Sequence, residues 1–217
     1  MSSPDVRDAV PADLDRVAEL HVDAFPDSVL GHLGVEAVRR SYLWQMEGPH
    51  DLTALVGIVD GRVAGFLFGG VFRGSTIGFV KKEKWFLAGR VARHPSVMLG
   101  RMGWDRIGLA LRLLRTRWTA PTPEDPTSVP TSSFGVLAIA VDPAAQGHGI
   151  GRALMDVATG RARAGGFTSM HLSVHPENAS AIAFYRSIGW SEVPEDDGNW
   201  TGRMTASLSA DRPPTTT

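Results

Sequence analysis

Apolar residues recur along this 217-residue chain with two periods, and the points where the period changes divide it into elements. The stretch "DVRDAVPADLDRVAELHVDAF" reads as a short extended segment followed by a helix. Pro11 suits the first turn, and Leu14, Val17, Ala18 and His21 fall on one face. The pattern breaks at Pro26 and restarts as a second helix through Val35, Val38 and Tyr42. "LTALVGIVDGRVAGFLFGGVF" predicts two strands joined by a turn at Asp60-Gly61, a dipeptide suited to the positive φ angles of a tight hairpin.

Helical periodicity returns over residues 74–118, where "RIGLALRLLRTRW" puts Ile107, Leu111 and Leu114 on one stripe. "TAPTPEDPTSVPTSS" carries Pro121, Pro123, Pro126 and Pro130 and reads as a loop. "FGVLAIAV" is a short continuous apolar run, expected to be a strand buried on both faces. A helix ending at Gly165-Gly166 follows, then a strand "TSMHLSVH", a helix "NASAIAFYRSIG" and a last strand in "WTGRMTASLS". Strand, helix, strand, helix in this order predicts a parallel pairing, with a ligand crevice at the carboxyl ends of the strands.

Composition narrows the chemistry. Apolar residues make up 43% and charged residues 21%, as in ordinary globular proteins. The absence of cysteine excludes disulfides, thiolate metal sites and a cysteine nucleophile. His171 and His175 are four apart, but on a strand that spacing is too long for one ion, and no metal site is expected. The first ten residues lack the basic and apolar regions of a signal peptide, and no apolar run approaches a membrane span, so a cytoplasmic protein without a transmembrane segment is expected. The charge is uneven. Residues 81–118 hold ten Lys or Arg against Glu83 and Asp105, a net +8 that leaves −9 on the rest of a chain whose total is −1.

The most informative stretch is "VDPAAQGHGIGRALM", which places Gly147, Gly149 and Gly151 where a strand gives way to a helix. Each glycine near a helix costs about 0.5–1 kcal/mol relative to alanine, so three in five residues need a reason. A tight turn requires one. At a helix N-terminus the first N–H groups are unpaired and the dipole is positive, and glycines keep side chains out of the way, which suits a phosphate or pyrophosphate. A nucleotide-triphosphate loop would need Lys then Ser or Thr after its last glycine, and Arg152-Ala153 stand there. A dinucleotide fingerprint would need a small residue where Arg152 or Leu154 lies.

Gln146-Gly147-His148-Gly149-Ile150-Gly151 resembles the Gln/Arg-x-x-Gly-x-Gly/Ala motif of the GNAT superfamily of N-acetyltransferases, and "PENASAIAFYRSIGW" resembles that family's second recognisable segment. The likeness runs in order from about residue 135 to 190. It implies one α/β domain over residues 1–210, with a mixed, splayed β-sheet flanked by helices and a disordered tail at 211–217. It also implies acetyl-coenzyme A as co-substrate and an acetyl group transferred to a primary amine by direct attack in a ternary complex. A small-molecule amine, such as that of an anionic amino sugar or other metabolite, is the leading acceptor; a protein or peptide amine, or a non-catalytic acyl-coenzyme A sensor, is the alternative.

Carried over position by position, the resemblance gives Gln146, Gly147, His148, Gly149, Ile150, Gly151 and Arg152 to the pyrophosphate. Ile139, Ala140 and Val141 fall to the pantetheine arm, Ile139 and Val141 through backbone groups. Asn178 would bond the pantetheine and Phe184 would pack against the cofactor. Tyr185 would be the general acid that protonates the departing thiolate, a role a phenol can fill. For a general base the chain offers His175, expected at the carboxyl end of its strand, with Asp27 and Glu177 weaker. Phe25, Asp27 and Ser28, between the first two helices, are the expected acceptor contacts.

One departure stands out. The family commonly links its third and fourth strands by a short turn, and here about 55 residues intervene, forming a basic helical insert over 74–132. The insert reads as a helical pair with a solvated basic face, or as a surface for an anionic acceptor, an acidic carrier protein or an anionic membrane. Nucleic acid is not expected as a partner, because the rest of the chain is acidic. A homodimer is an open arrangement.

Overall fold

The computed structural model describes residues 4–48, 50–71, 75–93, 133–195 and 198–208. Its frame is a seven-stranded mixed sheet in the order β1-β2-β3-β4-β5-β7-β6. β1 is Asp5–Asp8, β2 Asp51–Val59, β3 Arg62–Val71, β4 Ser133–Val141, β5 Ser169–Ser173, β6 Ser191–Glu192 and β7 Arg203–Ser207. Neighbouring strands run antiparallel except β4 and β5. The expected Asp60-Gly61 hairpin is present, with φ of 50° and 75° at its two turn residues.

Two apolar layers sandwich the sheet. Under α1 (Leu14–Ala24) and α3 (Val35–Glu47), Leu14, Val17, Val38 and Tyr42 pack on Val56, Phe66 and Phe68. A one-turn α2 (Val29–His32), not foreseen from the sequence, bridges them, with Ser28 Oγ accepting from the Gly31 amide at 2.8 Å. On the other face α6 (Ile150–Ala164) and α7 (Ala179–Ser187) bury Ile150, Leu154, Met155 and Tyr185 against Leu67, Met170, Leu172 and Met204. Gly57 lets the start of α6 sit close to the sheet, since a Cβ there would lie 2.6 Å from Ile150 Cγ2. α6 ends as expected at Gly165-Gly166, with Gly166 at φ +77° and the Phe167 amide donating back to the Ala162 carbonyl.

β4 departs from the expectation of a strand buried on both faces. Its first four residues are buried, but Leu137 is 48% exposed. The register explains the change: Val136 pairs with Gly69 and Ala138 with Phe68, so Leu137 is an extra residue, a β-bulge. The bulge shifts the alternation. Phe134 and Val136 face α6, whereas Ala138 and Ala140 face α1, as period-2 packing on the two layers requires.

Between β3 and β4 lie α4 (Ser75–Lys82) and α5 (Lys84–Arg93), the described part of the basic insert. Three of its charged residues bind α3 and the turn before it. Glu83 accepts from Arg40 at 2.8 Å, Lys82 pairs with Glu47 at 3.2 Å and lies over the Trp44 ring, and Arg90 Nε donates to the Leu33 carbonyl at 2.7 Å. Arg101, Arg106, Arg112, Arg115 and Arg117, the stripe at Ile107, Leu111 and Leu114, the proline-rich loop and the tail at 211–217 lie outside the described residues.

Candidate functional site

The chemistry of this chain gathers where β4 and β5 part. Their parallel pairing covers only Ser133↔Ser169 to Gly135↔His171, and beyond it the strands diverge. β7 stays with β5, and the Val174 amide still donates to the Gly202 carbonyl at 2.8 Å, so β5 keeps its outer neighbour while losing its inner one. On β4 the Asp142 amide donates to the Ala64 carbonyl of β3. By strand alternation Ala140 also turns its backbone groups toward β3, and Ile139 and Val141 turn theirs into the opening. Buried backbone groups need partners, and the opening supplies room for an extended ligand to provide them.

At the carboxyl end of β4, Pro143–Ala145 form a turn and the glycine loop leads into α6. Gly147 and Gly149 have φ of +81° and +79°, a region costly for residues with a Cβ, and nothing stands within 4 Å of where their Cβ atoms would be. Gly149 caps α6 with no side-chain hydrogen bond, leaving the amides of its first turn without an intrahelical acceptor. Gly151 serves packing instead, since Phe184 lies 3.5 Å from its would-be Cβ and locks α6 to α7. Gln146, His148 and Arg152 are exposed around the loop, His148 Nδ1 lying near the Ala145 and Gln146 carbonyls and Arg152 reaching the Ser187 carbonyl. An exposed cradle of amides, open space in front and a strand edge beside it fit a long ligand with a pyrophosphate at one end.

α7 follows β5 and packs on α6 through Phe184. Asn178 is its N-cap, its Oδ1 accepting from the Ala181 amide at 3.0 Å, which leaves its NH₂ to donate elsewhere. Phe184 is half-buried and Tyr185 is 8% exposed, its ring set between Phe184 and Trp190. The Tyr185 hydroxyl makes no hydrogen bond among the described residues. Burial pushes its pKa up to about 12, so it stays protonated at neutral pH and can donate.

The expected bases and acceptor contacts fall on two segments, the loop after β5 and the loop between α1 and α2. His175 lies past the end of β5 rather than on it, because Pro176 cannot continue the ladder. It is exposed and its Nδ1 accepts from the Glu177 amide at 3.3 Å; Glu177 is exposed as well. Asp27 is exposed, whereas Phe25 and Ser28 are half-buried beside His21: its ring stacks on Phe25 at 4.8 Å and its Nε2 lies 3.3 Å from Ser28 Oγ. His21 Nδ1 lies 2.8 Å from the buried Tyr42 hydroxyl, so a chain of polar groups runs from α3 through α1 to the loop before α2. Burial depresses the His21 pKa to about 4, keeping the ring neutral.

Sequence reasoning passed over two features. Ser133 Oγ sits 2.8 Å from His171 Nδ1 at the closed end of the opening, and burial, then the nearby Arg203 charge, lower the imidazole's proton affinity. Arg203 itself sits on β7 opposite Ser173. The alternation of Arg203, Thr205 and Ser207 with Met204, Ala206 and Leu208 marks it as facing away from the α6 layer, a signal present in the sequence. Among the described residues no group of His, Cys, Asp or Glu could hold a metal ion, and no helix is long and apolar enough to cross a membrane.

Comparison with known proteins points the same way. The family model described as "Acetyltransferase (GNAT) family" matches residues 110–190. A mycothiol acetyltransferase of Saccharomonospora viridis is 36% identical over 86 residues, 39% of this chain and 28% of that protein. The N-alpha-acetyltransferase RimI of Mycobacterium tuberculosis is 42% identical over 64 residues, 30% of this chain and 39% of that protein. The chain thus spans under a third of the length of the mycothiol acetyltransferases it matches. Among solved structures, the ribosomal-protein-S18-alanine N-acetyltransferase of Escherichia coli superposes with a TM-score of 0.52 at 18% identity, over 99% of both chains. The PaiA N-acetyltransferase of Thermoplasma acidophilum, solved in complex with coenzyme A, gives 0.56 at 13% identity over 95% of this chain and 99% of that one. By its splayed sheet, its glycine-capped helix and the superposed structures, this chain has the fold of the GNAT acetyltransferases, and its residues 110–190 match that family's model.

Proposed function

We propose that this protein transfers an acetyl group from acetyl-coenzyme A to a primary amine of a small molecule. The observation that supports the reading is the parting of β4 and β5 beside the glycine-capped N-terminus of α6, whose first-turn amides have no intrahelical acceptor. Acetyl-coenzyme A supplies an activated thioester; the protein binds, orients and moves protons. The amides from Gln146 to Arg152 hold the pyrophosphate. The outward backbone groups of Ile139 and Val141 and the Asn178 amide hold the pantetheine as an added strand, and Phe184 packs against it. A neutral amine attacks the acetyl carbon, the C–S bond breaks and Tyr185 gives its proton to the departing sulfur; the proton shed by the new amide nitrogen passes to water and the phenolate regains one from solvent.

A peptide amine is the second reading, favoured by the protein-directed names of the RimI relative and of the Escherichia coli structure. Thiol release on mixing the protein with acetyl-coenzyme A and a panel of amines tests the proposal, with the acetylated product identified by mass. Release that requires a small primary amine supports it. Release only with peptides favours the second reading, and acetyl-coenzyme A binding without release under any acceptor means a binding module.

A further inference from the structure

The sheet face under α1 and α3 is covered unevenly. Its apolar layer draws on β1 to β4 and, among the described residues, takes nothing from β5 or β7. On those two strands Met170, Leu172 and Met204 belong to the opposite layer, so His171, Ser173, Arg203 and Thr205 face the uncovered side. Thr205 Oγ1 is engaged with the Met170 carbonyl, and His171 Nδ1 with Ser133. Arg203 is different. It is half-buried, and its guanidinium makes no hydrogen bond or ion pair among the described residues.

A half-buried guanidinium with no carboxylate partner among the described residues can take one from a ligand. A guanidinium is charged at every physiological pH, and its neighbour His171 is another base that its field disfavours from protonating. Six other arginines of the described chain have carboxylate partners, among them Arg7 with Asp13, Arg16 with Asp142 and Arg161 with Asp8, whereas the exposed Arg62 and Arg163, like Arg203, have none among the described residues. The position of Arg203 is also specific. It stands opposite Ser173, two residues past the last β4–β5 pair at His171, so only β5 lies between it and the opening. The imidazole beside it presents Nε2 with no partner among the described residues.

We propose that Arg203 determines acceptor specificity: it holds an oxyanion, carboxylate or phosphate, carried by the amine that is acetylated. The inference rests on the acetyl-transfer reading and names its substrate class. The planar fork of an arginine pairs with either oxyanion through two hydrogen bonds. Anchoring the anionic end fixes the amine end toward the parting strands, which turns binding into orientation.

Paired acceptors test it: alanine against alaninamide, and glucosamine 6-phosphate against glucosamine, each assayed for kcat/KM by thiol release. The wild type should prefer the anionic member of at least one pair, and the pair that shows the preference identifies carboxylate or phosphate as the group. Arg203→Gln should lower that preference about ten- to a hundredfold, the range for hydrogen bonds to a charged group. A ratio within one variant is blind to general damage, which would lower both members alike. Arg203→Lys keeps the charge and loses the fork, so its preference should fall between the two; it carries the test if the glutamine variant does not fold. Calorimetry of acetyl-coenzyme A runs alongside. Binding of acetyl-coenzyme A with no anionic preference, or with a preference that survives Arg203→Gln, overturns the assignment and leaves the acetyl-transfer reading standing. No acetyl-coenzyme A binding by the wild type overturns both.

Discussion

The Ser133 hydroxyl lies 2.8 Å from Nδ1 of His171, tying the first residue of β4 to the last residue of β5 that still pairs with it. The bond crosses the closed end of the opening. Gly135 makes room for it, since a Cβ there would stand 3.0 Å from the imidazole Nε2. Ser133→Ala removes one partly buried hydrogen bond, worth about 1 kcal/mol. For a chain of this size that should lower Tm by about 2–4 °C, and Ser133→Thr should recover most of it. An unchanged Tm in the alanine variant would mean that the two strands are held together there by their ladder alone.

The glycine loop offers a more direct test of the pyrophosphate site. Gly149→Asp puts a carboxylate where the structure leaves open space, in front of amides that face an anion. Because φ is +79° at this position, a Cβ adds about 1 kcal/mol of strain, which the fold should survive. Acetyl-coenzyme A affinity by calorimetry should drop at least about tenfold, since a like charge now faces the ligand. Unchanged affinity in a folded variant places the pyrophosphate elsewhere.

Tyr185 separates chemistry from packing. Its ring is packed between Phe184 and Trp190, whereas its hydroxyl has no hydrogen bond among the described residues. Tyr185→Phe should therefore leave Tm and acetyl-coenzyme A affinity nearly unchanged. Turnover should fall about 100-fold, the lower end for a general acid because thiolates leave readily. Wild-type turnover in that variant would reduce Tyr185 to a core aromatic.

Acid should destabilise the fold through His21 before it reaches the carboxylates. In the folded chain burial holds this imidazole at about 4, against 6.5 when exposed. Between those two values the unfolded chain takes up a proton that the folded chain refuses, so stability falls as pH drops from about 6.5 to 4. The shift corresponds to about 3 kcal/mol at full effect. His171, lowered in the same direction, adds to the trend. Asp8, Asp13 and Glu36, all lowered by arginine partners, hold their contribution until pH falls through the carboxylate range. Thermal melts from pH 7 to 4.5 should show the loss, and His21→Gln should flatten it. An equally steep loss in the variant would assign it to other groups.

Local pattern carried the elements and the mouth of the site. Period-2 and period-3.6 alternations need no distant partner, nor do the φ requirements at Asp60-Gly61 and Gly149, so the hairpin, α1, α3, α6 and the glycine cap of α6 were legible in the chain. The order strand, helix, strand also carried the parallel β4–β5 pair. What no local pattern holds is how far that pairing runs. The bulge at Leu137 is visible only in the register of β4 against β3, and beyond it Ala138 and Ala140 join the α1 layer. Arg203 is the plainest case. Its type and alternation are visible in "GRMTAS", but whether a cation has a counter-ion depends on which distant strands stand beside it, and that is a property of the assembled sheet.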